Sequence, residues 1–486
     1  MNNIIESVRK NKFLYTSILI YCLIVGTVSV LRHYQFQTQA WDMGIFEQTM
    51  WNTVNGRVMQ NSLEEIPNHL GVHMSPFLFL LVPFYAIFPS PYFLLIIQTA
   101  ALALAAVPLY FFAKKVFGRE RLAKAFVLSY LFNPALHSVS LFDFHASAFF
   151  IPLVLTAFYF WAERKFVWAG FWLVLAALTQ EDAAVMAAAI AGYWLLAALI
   201  RREGGKFKFS WGGPSRKSLI LLFFLGLYFW LAVKWLMPAW GGGLLRLDRY
   251  SHLGGAVGEI IKNLFTNPGL FWATIFTAAK LKYLLFLLLP VALLPLLSLS
   301  SIFLLLPGVL ENILTNYDTQ FSGLYQYDAV VLPGLYIAAV YGASALLKLF
   351  GREKIIFYFL LFFSGGAFFY YSLVSPWQFP VDLFRRELSA KQYAAIVRLI
   401  PTAASVAAPT NLVPHLAHRE YIRVLGNEGF WTDIVIIDRF DKFGFGTDEQ
   451  FQAYFDARVN SGQYKMTIID DRYIILVKNA TPPNLP

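Results

Sequence analysis

Acidic and histidine side chains stand close to the ends of long apolar runs at several points in this sequence. They are Asp42, Glu47, His69, His73, Asp143, His145, Glu181, Asp182 and Glu311. Ionisable groups are costly beside hydrocarbon, so their presence at these places indicates function. Carboxylates and imidazoles can transfer protons to and from a substrate, or bind a divalent metal ion. Proton transfer and metal binding are therefore the two chemistries to consider.

Two of these acidic pairs also have a structural interpretation. Asp42 and Glu47 are five residues apart and fit the solvated face of a helix. Glu181 and Asp182 fit the start of a helix, where a carboxylate caps free amides and is stabilised by the helix dipole. A structural and a catalytic role are about equally well supported for the second pair, and one residue can serve each role.

The histidines also have both a structural and a functional interpretation. Asp143 and His145 enclose one residue and could cap a loop or act on a substrate. His69 and His73 have the i,i+4 spacing of zinc ligands on a helix, but Gly71 interrupts them and no HExxH glutamate is present. That pattern argues against a zinc protease site.

The elements that carry these groups are predicted to lie in a membrane. The chain has 486 residues, of which 58% are hydrophobic, 17% are aromatic and only 14% are charged. Soluble proteins carry about 25% charged residues. Because a soluble chain of this length would need polar surfaces for several domains, the composition predicts an integral membrane protein.

The apolar runs predict eleven transmembrane helices, since a helix needs about 20 residues to cross the hydrocarbon. The first run, 13–31, follows basic residues and is interpreted as a retained anchor rather than a cleaved signal peptide. The others are 91–113, 122–138, 147–161, 166–178, 183–200, 218–237, 282–297, 300–314, 328–347 and 354–374. The run 77–88 has about a dozen residues and predicts a helix that lies in the outer leaflet without crossing.

The basic residues predict the orientation of these helices. With 77–88 left out of the count, the cluster Lys114, Lys115, Arg119, Arg121 and Lys124 lies on the cytoplasmic side, as the positive-inside rule requires. The N-terminus is then on the cytoplasmic side of the cytoplasmic membrane, and the C-terminus is on its outer side. The net charge of +10 thus reflects membrane orientation, and nothing in it argues for nucleic acid binding.

The predicted spans and the composition divide the chain into two regions. Residues 1–375 form the transmembrane part, with a first outer loop over 32–90, and residues 385–480 alternate short β-branched runs with helical pieces. This alternation predicts a small soluble α/β domain on the outer side, with Asp470-Asp471-Arg472 as a hairpin turn. The single cysteine, Cys22, excludes a disulfide within the chain and zinc sites built on cysteine.

Several segments together resemble the DUF2079 family of prokaryotic membrane proteins. They are residues 42–48 (DMGIFEQ), 70–76 (LGVHMSP), 141–145 (LFDFH), 180–182 (QED) and, in the tail, 411–416 (NLVPHL). The resemblance runs from about residue 30 to residue 478, nearly the whole chain. One departure is Gln326, which stands where the family pattern has histidine, so this position receives no role.

That family in turn resembles the GT-C glycosyltransferases, which take a sugar from a polyprenyl-phosphate donor. The resemblance implies a GT-C-like polytopic helical fold, with an acidic residue near the start of a long first outer loop. It implies inverting transfer to a hydroxyl of an unknown glycan, lipid or protein at the outer face. Asp42 is then expected to be the catalytic base, with Glu47 as the weaker candidate.

The leaving phosphate needs a positive charge, and two sources stay open. Arg246, Arg249 or Lys262 in the long outer segment supplies it, or a divalent metal ion does. The candidate metal ligands are Asp143, His145, Glu181 and Asp182, which would suit Mg or Mn, and the histidine would favour Mn or Zn. His73 and Glu311 are expected to bind substrate.

Two other classes of function remain open. A secondary transporter or flippase would place charges or broken helices at the bilayer midplane, whereas the acids here sit at the outer ends of the spans. A membrane sensor or scaffold would use the outer α/β domain, where His415 could mark a ligand site or merely cap a helix.

Overall fold

The computed structural model describes residues 10–203, 206–385, 387–427 and 431–479. Most of the described chain up to residue 371 is helical. The helices of eight or more residues are Lys12–Tyr34, Ile45–Val54, Leu78–Ile87, Pro91–Leu104, Ala106–Phe117, Glu120–Leu131, Pro134–Leu141, Phe150–Ala162, Phe166–Ala177, Glu181–Leu199, Gly213–Leu231, Val257–Thr266, Pro268–Ile275, Ala278–Leu288, Leu306–Ile313, Leu332–Phe350, Glu353–Tyr371, Leu388–Leu399 and Asp448–Val459. The strands are β1 (Ile200–Glu203), β2 (Lys206–Phe209), β3 (Val406–Ala408), β4 (Ile422–Val424), β5 (Ile434–Asp438), β6 (Tyr464–Ile469) and β7 (Tyr473–Lys478).

Within the described residues, six helices are long and apolar enough to cross a membrane. They are Lys12–Tyr34, Pro91–Phe117, Glu181–Leu199, Gly213–Ala239, Leu332–Phe350 and Glu353–Tyr371. A bent pair of helices over 268–291, with an angle of 66° between its halves, would make a seventh span. The predicted count of eleven is thus not confirmed, although the chain is a helical membrane protein.

Prolines explain much of the difference in the number of spans. The predicted span 122–138 is divided between two helices, because Pro134 starts the second one and Asn133 caps it by accepting a hydrogen bond from the Ala135 amide. The predicted span 300–314 is divided in the same way, and Pro307 lies in the first turn of its second helix. Apolar composition indicated hydrocarbon or core at both places, but it did not reveal the breaks.

The predicted outer-leaflet run is a separate helix, Leu78–Ile87. Its ten residues span about 15 Å at 1.5 Å per residue, roughly half of the hydrocarbon thickness. Its length therefore suits a position within one leaflet, which is the assumption that places the following basic cluster in the cytoplasm.

The last part of the chain forms a five-stranded mixed sheet in the order β4-β3-β5-β7-β6. Strands β4, β3 and β5 are parallel, while β7 pairs antiparallel with both β5 and β6. The β6–β7 hairpin turns at Asp470 and Asp471, whose φ angles of 52° and 53° are typical of such a tight turn. One side of the sheet shares an apolar core with the helix Leu388–Leu399 and with residues of the first outer loop.

We predict that a cysteine at Arg121 is not labelled from outside intact cells by a membrane-impermeant maleimide. Arg121 is exposed and belongs to the basic cluster. It is a better site for the probe than the nearby Gly118, whose positive φ would strain a cysteine. Both probes are made in a Cys22→Ser background, and Ala453→Cys on an exposed position of the C-terminal region is the outer control. Labelling at 121 with the outer reagent would overturn the proposed orientation.

Candidate functional site

Eight of the eleven side chains predicted to act in catalysis, or to bind a metal ion, the substrate or the leaving phosphate, line one cavity of about 930 Å³. Its walls come from the first outer loop, residues 142–147, the start of the helix Glu181–Leu199, and the segments 244–260 and 307–330. The eight residues are Asp42, His73, His145, Glu181, Asp182, Arg246, Arg249 and Glu311. The other three, Glu47, Asp143 and Lys262, are outside this lining.

Asp42 and His145 form a hydrogen-bonded pair at the cavity wall. The Nε2 atom of His145 lies 2.7 Å from Oδ1 of Asp42, and the Asp42 side chain keeps 20% of its surface exposed. The His145 ring stacks on Phe142, and its amide donates to the side-chain oxygen of Gln98. Within the described part of the chain, Oδ2 of Asp42 has no hydrogen-bond partner. One carboxylate oxygen is thus oriented by a fixed imidazole, while the other is available to a ligand.

Asp143 holds the turn that carries Asp42. Asp42 belongs to a π-helical turn, Ala40–Gly44, and Oδ2 of Asp143 accepts hydrogen bonds from the amides of Gln39 (2.8 Å) and Met43 (3.4 Å). Asp143 itself has φ +47°, a conformation that Asp and Asn tolerate better than other side chains. Burial, together with the negative charge of Asp42, raises the pKa of Asp143 to about 7. Its contacts indicate that Asp143 is a structural support of the turn.

These contacts predict that Asp143→Asn makes the protein less sensitive to rising pH. Asparagine can still accept from both amides and adopt φ +47°, but it carries no buried charge. Because the folded-state pKa of the acid is raised, wild-type stability falls as pH rises from the unfolded value near 4 through about 7. The thermal midpoint of Asp143→Asn should therefore fall less between pH 5 and pH 8.

Asp143→Ala is the matched control for this prediction, since it removes the charge together with the two amide contacts and should be destabilising at every pH. Equal pH dependence of wild type and Asp143→Asn would contradict the assignment of a titrating buried carboxylate.

Glu47 lies on the helix Ile45–Val54, on the side away from the cavity. Its carboxylate is fully buried, accepts a hydrogen bond from the Tyr85 hydroxyl at 2.6 Å, and lies 2.5 Å from Nε2 of His418. Burial raises its pKa, while the contacts to His418 and Tyr85 oppose that shift. The structure gives Glu47 no access to a substrate in the cavity, so its contacts indicate a structural role instead of catalysis.

Two further histidine–carboxylate pairs line the cavity. The Nδ1 atom of His73 lies 3.1 Å from Oε1 of Glu181, whose other oxygen accepts from the Met74 amide. Burial lowers the pKa of His73, but the charge of Glu181, its hydrogen bond and the charges of the nearby acids together outweigh burial, so the net pKa is raised. The second pair, His69 with Glu64 at 3.0 Å, was missed by sequence analysis. The signal that could have revealed this pair is Glu64 itself, which lies five residues before His69 in the same polar stretch of the outer loop.

Asp182 and Glu311 contact each other in the wall of the cavity. Their carboxyl groups are in direct contact, and Asp182 also accepts a hydrogen bond from the Ala183 amide at the start of its helix. The predicted helix-start role thus falls to Asp182, whereas Glu181 binds the histidine.

The three predicted cations differ in their surroundings. Arg249 lines the cavity, with its guanidinium 4.3 Å from the Tyr317 ring centroid and 5.6 Å from that of Tyr327. Arg246 also lines the cavity but forms a bidentate ion pair with exposed Glu65, at 3.0 and 3.2 Å. Lys262 is outside the lining, on the helix Val257–Thr266. Arg249 is the predicted cation that is held in place without a carboxylate pair.

The four predicted metal ligands do not form one site. Among the described residues, no group of three or more His, Cys, Asp or Glu side chains is arranged to hold a metal ion. Asp143 is directed at backbone amides, His145 at Asp42, and Glu181 at His73. The four side chains therefore do not fit the divalent-metal site that was one of the two predicted sources of positive charge.

The apolar helices and the cavity between them define a helical integral membrane protein. The chain matches the family described as predicted membrane protein (DUF2079) over residues 32–475, and it belongs to that family. None of the curated proteins matches the sequence.

Comparison with solved structures gives a match with a TM-score above 0.5, at low sequence identity. The crystal structure of ArnT from Cupriavidus metallidurans, bound to undecaprenyl phosphate, is 10% identical with a TM-score of 0.54. The match covers 95% of this chain and 98% of that one. The oligosaccharyltransferase AglB from Archaeoglobus fulgidus, in complex with an inhibitory peptide and a dolichol-phosphate, is 12% identical over 85% of this chain and 64% of that one, with a TM-score of 0.44.

Proposed function

We propose that this protein transfers a sugar from a polyprenyl-phosphate donor to an acceptor hydroxyl at the outer face of the cytoplasmic membrane. The observation that carries the proposal is the Asp42–His145 pair on the wall of a cavity that also holds Arg249. The fold shared with a protein that binds undecaprenyl phosphate supports a lipid-linked donor.

In the proposed reaction, Oδ2 of Asp42 takes the proton of the acceptor hydroxyl as that oxygen attacks the anomeric carbon. The bond from the anomeric carbon to the phosphate oxygen breaks on the opposite side, so the sugar is inverted and polyprenyl phosphate leaves. His145 donates from Nε2 to Oδ1 and fixes the carboxylate. Positioned proton transfer of this kind contributes about 10²–10⁴-fold to the rate.

Arg249 is proposed to stabilise the charge that develops on the departing phosphate. Its guanidinium is held by the Tyr317 and Tyr327 rings and by the side-chain oxygen of Gln320 at 3.2 Å. Because these contacts fix a planar group before substrate arrives, little reorganisation is required during reaction. The acidic wall of Glu181, Asp182 and Glu311 is proposed to accept hydrogen bonds from sugar hydroxyls.

The proposal is tested by the lipid that the protein retains on purification. Mass spectrometry of that lipid should identify a polyprenyl-phosphate sugar, and incubation with candidate acceptors should release polyprenyl phosphate. Retention of a transported solute, with no release of the lipid phosphate, would favour a transporter or flippase instead.

A further inference from the structure

The C-terminal sheet has a topological switch point at β3. The chain leaves β3 for β4 on one side and then crosses to β5 on the other, and the three strands are parallel. In open α/β sheets, ligands bind at the carboxyl ends of the strands beside such a point. Residues 409–411 follow β3 and stand at this position.

The chain's own first outer loop fills this place. Oγ1 of Thr410 accepts a hydrogen bond from the Ala40 amide at 3.1 Å, and both residues are buried. Phe36, Ala40 and Ile45 belong to the apolar core of the sheet. The fit is tight at Gly44, where a Cβ atom would lie 2.9 Å from Cγ1 of Val413.

The turn that carries Asp42 is therefore held from two sides. Asp143 of the membrane domain accepts hydrogen bonds from the Gln39 and Met43 amides. Thr410, in the segment that follows β3, accepts a hydrogen bond from the Ala40 amide, which lies between them in sequence. The Asp42 side chain leaves this turn toward His145 and the cavity. A shift of the turn would move the carboxylate relative to His145.

We propose that the C-terminal sheet is a positioning element for Asp42 and that Thr410 is its positioning residue. The sheet uses its switch point to hold the catalytic turn instead of a small ligand. This inference rests on the proposed function, because it assigns Thr410 an effect on the reaction through Asp42. Misplacement of a reacting group by about 1 Å can cost about 100-fold in rate.

Thr410→Val tests the inference, since valine keeps the shape of threonine and removes the hydrogen-bond acceptor. Turnover is followed as release of undecaprenyl phosphate from a bacterial membrane lipid extract, and lipid affinity is measured with undecaprenyl phosphate itself. We expect turnover to fall roughly 10-fold, within the range for misplaced groups, while affinity for undecaprenyl phosphate stays unchanged. Hydrogen exchange of the amides in residues 39–44 should become faster, and Thr410→Ser should restore both properties.

Thr432→Val is the matched control. Thr432 is a buried threonine of the same sheet region, and its hydroxyl donates to the Ile434 carbonyl at 3.1 Å, away from the Asp42 turn. Thr432→Val should lower thermal stability about as much as Thr410→Val. It should leave turnover, and the hydrogen exchange of the amides in residues 39–44, as in wild type. Equal turnover in the two variants would overturn the inference. If wild type releases no undecaprenyl phosphate, the proposed function fails, and unchanged exchange in Thr410→Val would still refute the positioning role.

Discussion

Asp42→Asn is expected to lower turnover by about 100-fold or more while donor binding survives. Asparagine keeps the size of the side chain and can still accept the hydrogen bond from His145. It cannot take the proton of the acceptor hydroxyl. Turnover and binding of the retained lipid are measured separately on the same preparations, because only the first should change.

Glu47→Gln is the matched control for Asp42→Asn. Both changes replace a carboxylate by its amide within one short segment, but Glu47 is buried against Tyr85 and His418. Its effect should appear in stability more than in turnover. If Asp42 only capped or solvated its turn, Asp42→Asn would cost about 1 kcal/mol of stability and leave transfer intact. Full transfer by Asp42→Asn would end its proposed role as base.

The second large effect is expected at Arg249. Arg249→Gln removes the cation proposed to face the leaving phosphate, so turnover should fall by about 100-fold, comparable to the loss of one oxyanion donor. Affinity for the lipid phosphate should fall as well. Arg249→Lys keeps the charge but loses the planar contact with Tyr317 and Tyr327, so its defect should be intermediate.

Arg246→Gln is the comparison for this result, because Arg246 is three residues away on the same segment and lines the same cavity. Its guanidinium is paired with exposed Glu65, and such surface pairs contribute little energy. A smaller loss than in Arg249→Gln is expected. If Arg246→Gln had the larger effect on undecaprenyl phosphate binding, the assignment of the phosphate to Arg249 would be wrong.

Most of the charged and histidine side chains in the cavity wall could be predicted from the sequence, because membrane chemistry restricts where ionisable groups can be. Asp42, His145 and Glu181 lie in three separate segments of the chain, and their position beside the ends of apolar runs was enough to predict a functional role. That they line one cavity is a property of the fold shown here.

The direction of each side chain could not be predicted in the same way. Asp143 and Asp42 are both acids beside aromatic residues, but a left-handed backbone turns Asp143 toward amides about 100 residues away in sequence. Glu47 is five residues from Asp42, and its partner His418 is 371 residues away. Pairings at such distances leave no signal in composition or local spacing.

The contact between Ala40 and Thr410 has a consequence for biosynthesis. The two residues are 370 positions apart, so the ribosome needs roughly 20–70 s, at about 5–20 residues per second, to make the second after the first. During that interval Phe36, Ala40 and Ile45 lack the apolar core that covers them in the finished protein. The first outer loop of the nascent chain therefore lacks its packing partner during most of synthesis. The turn that carries Asp42 reaches its final structure only when synthesis is almost complete.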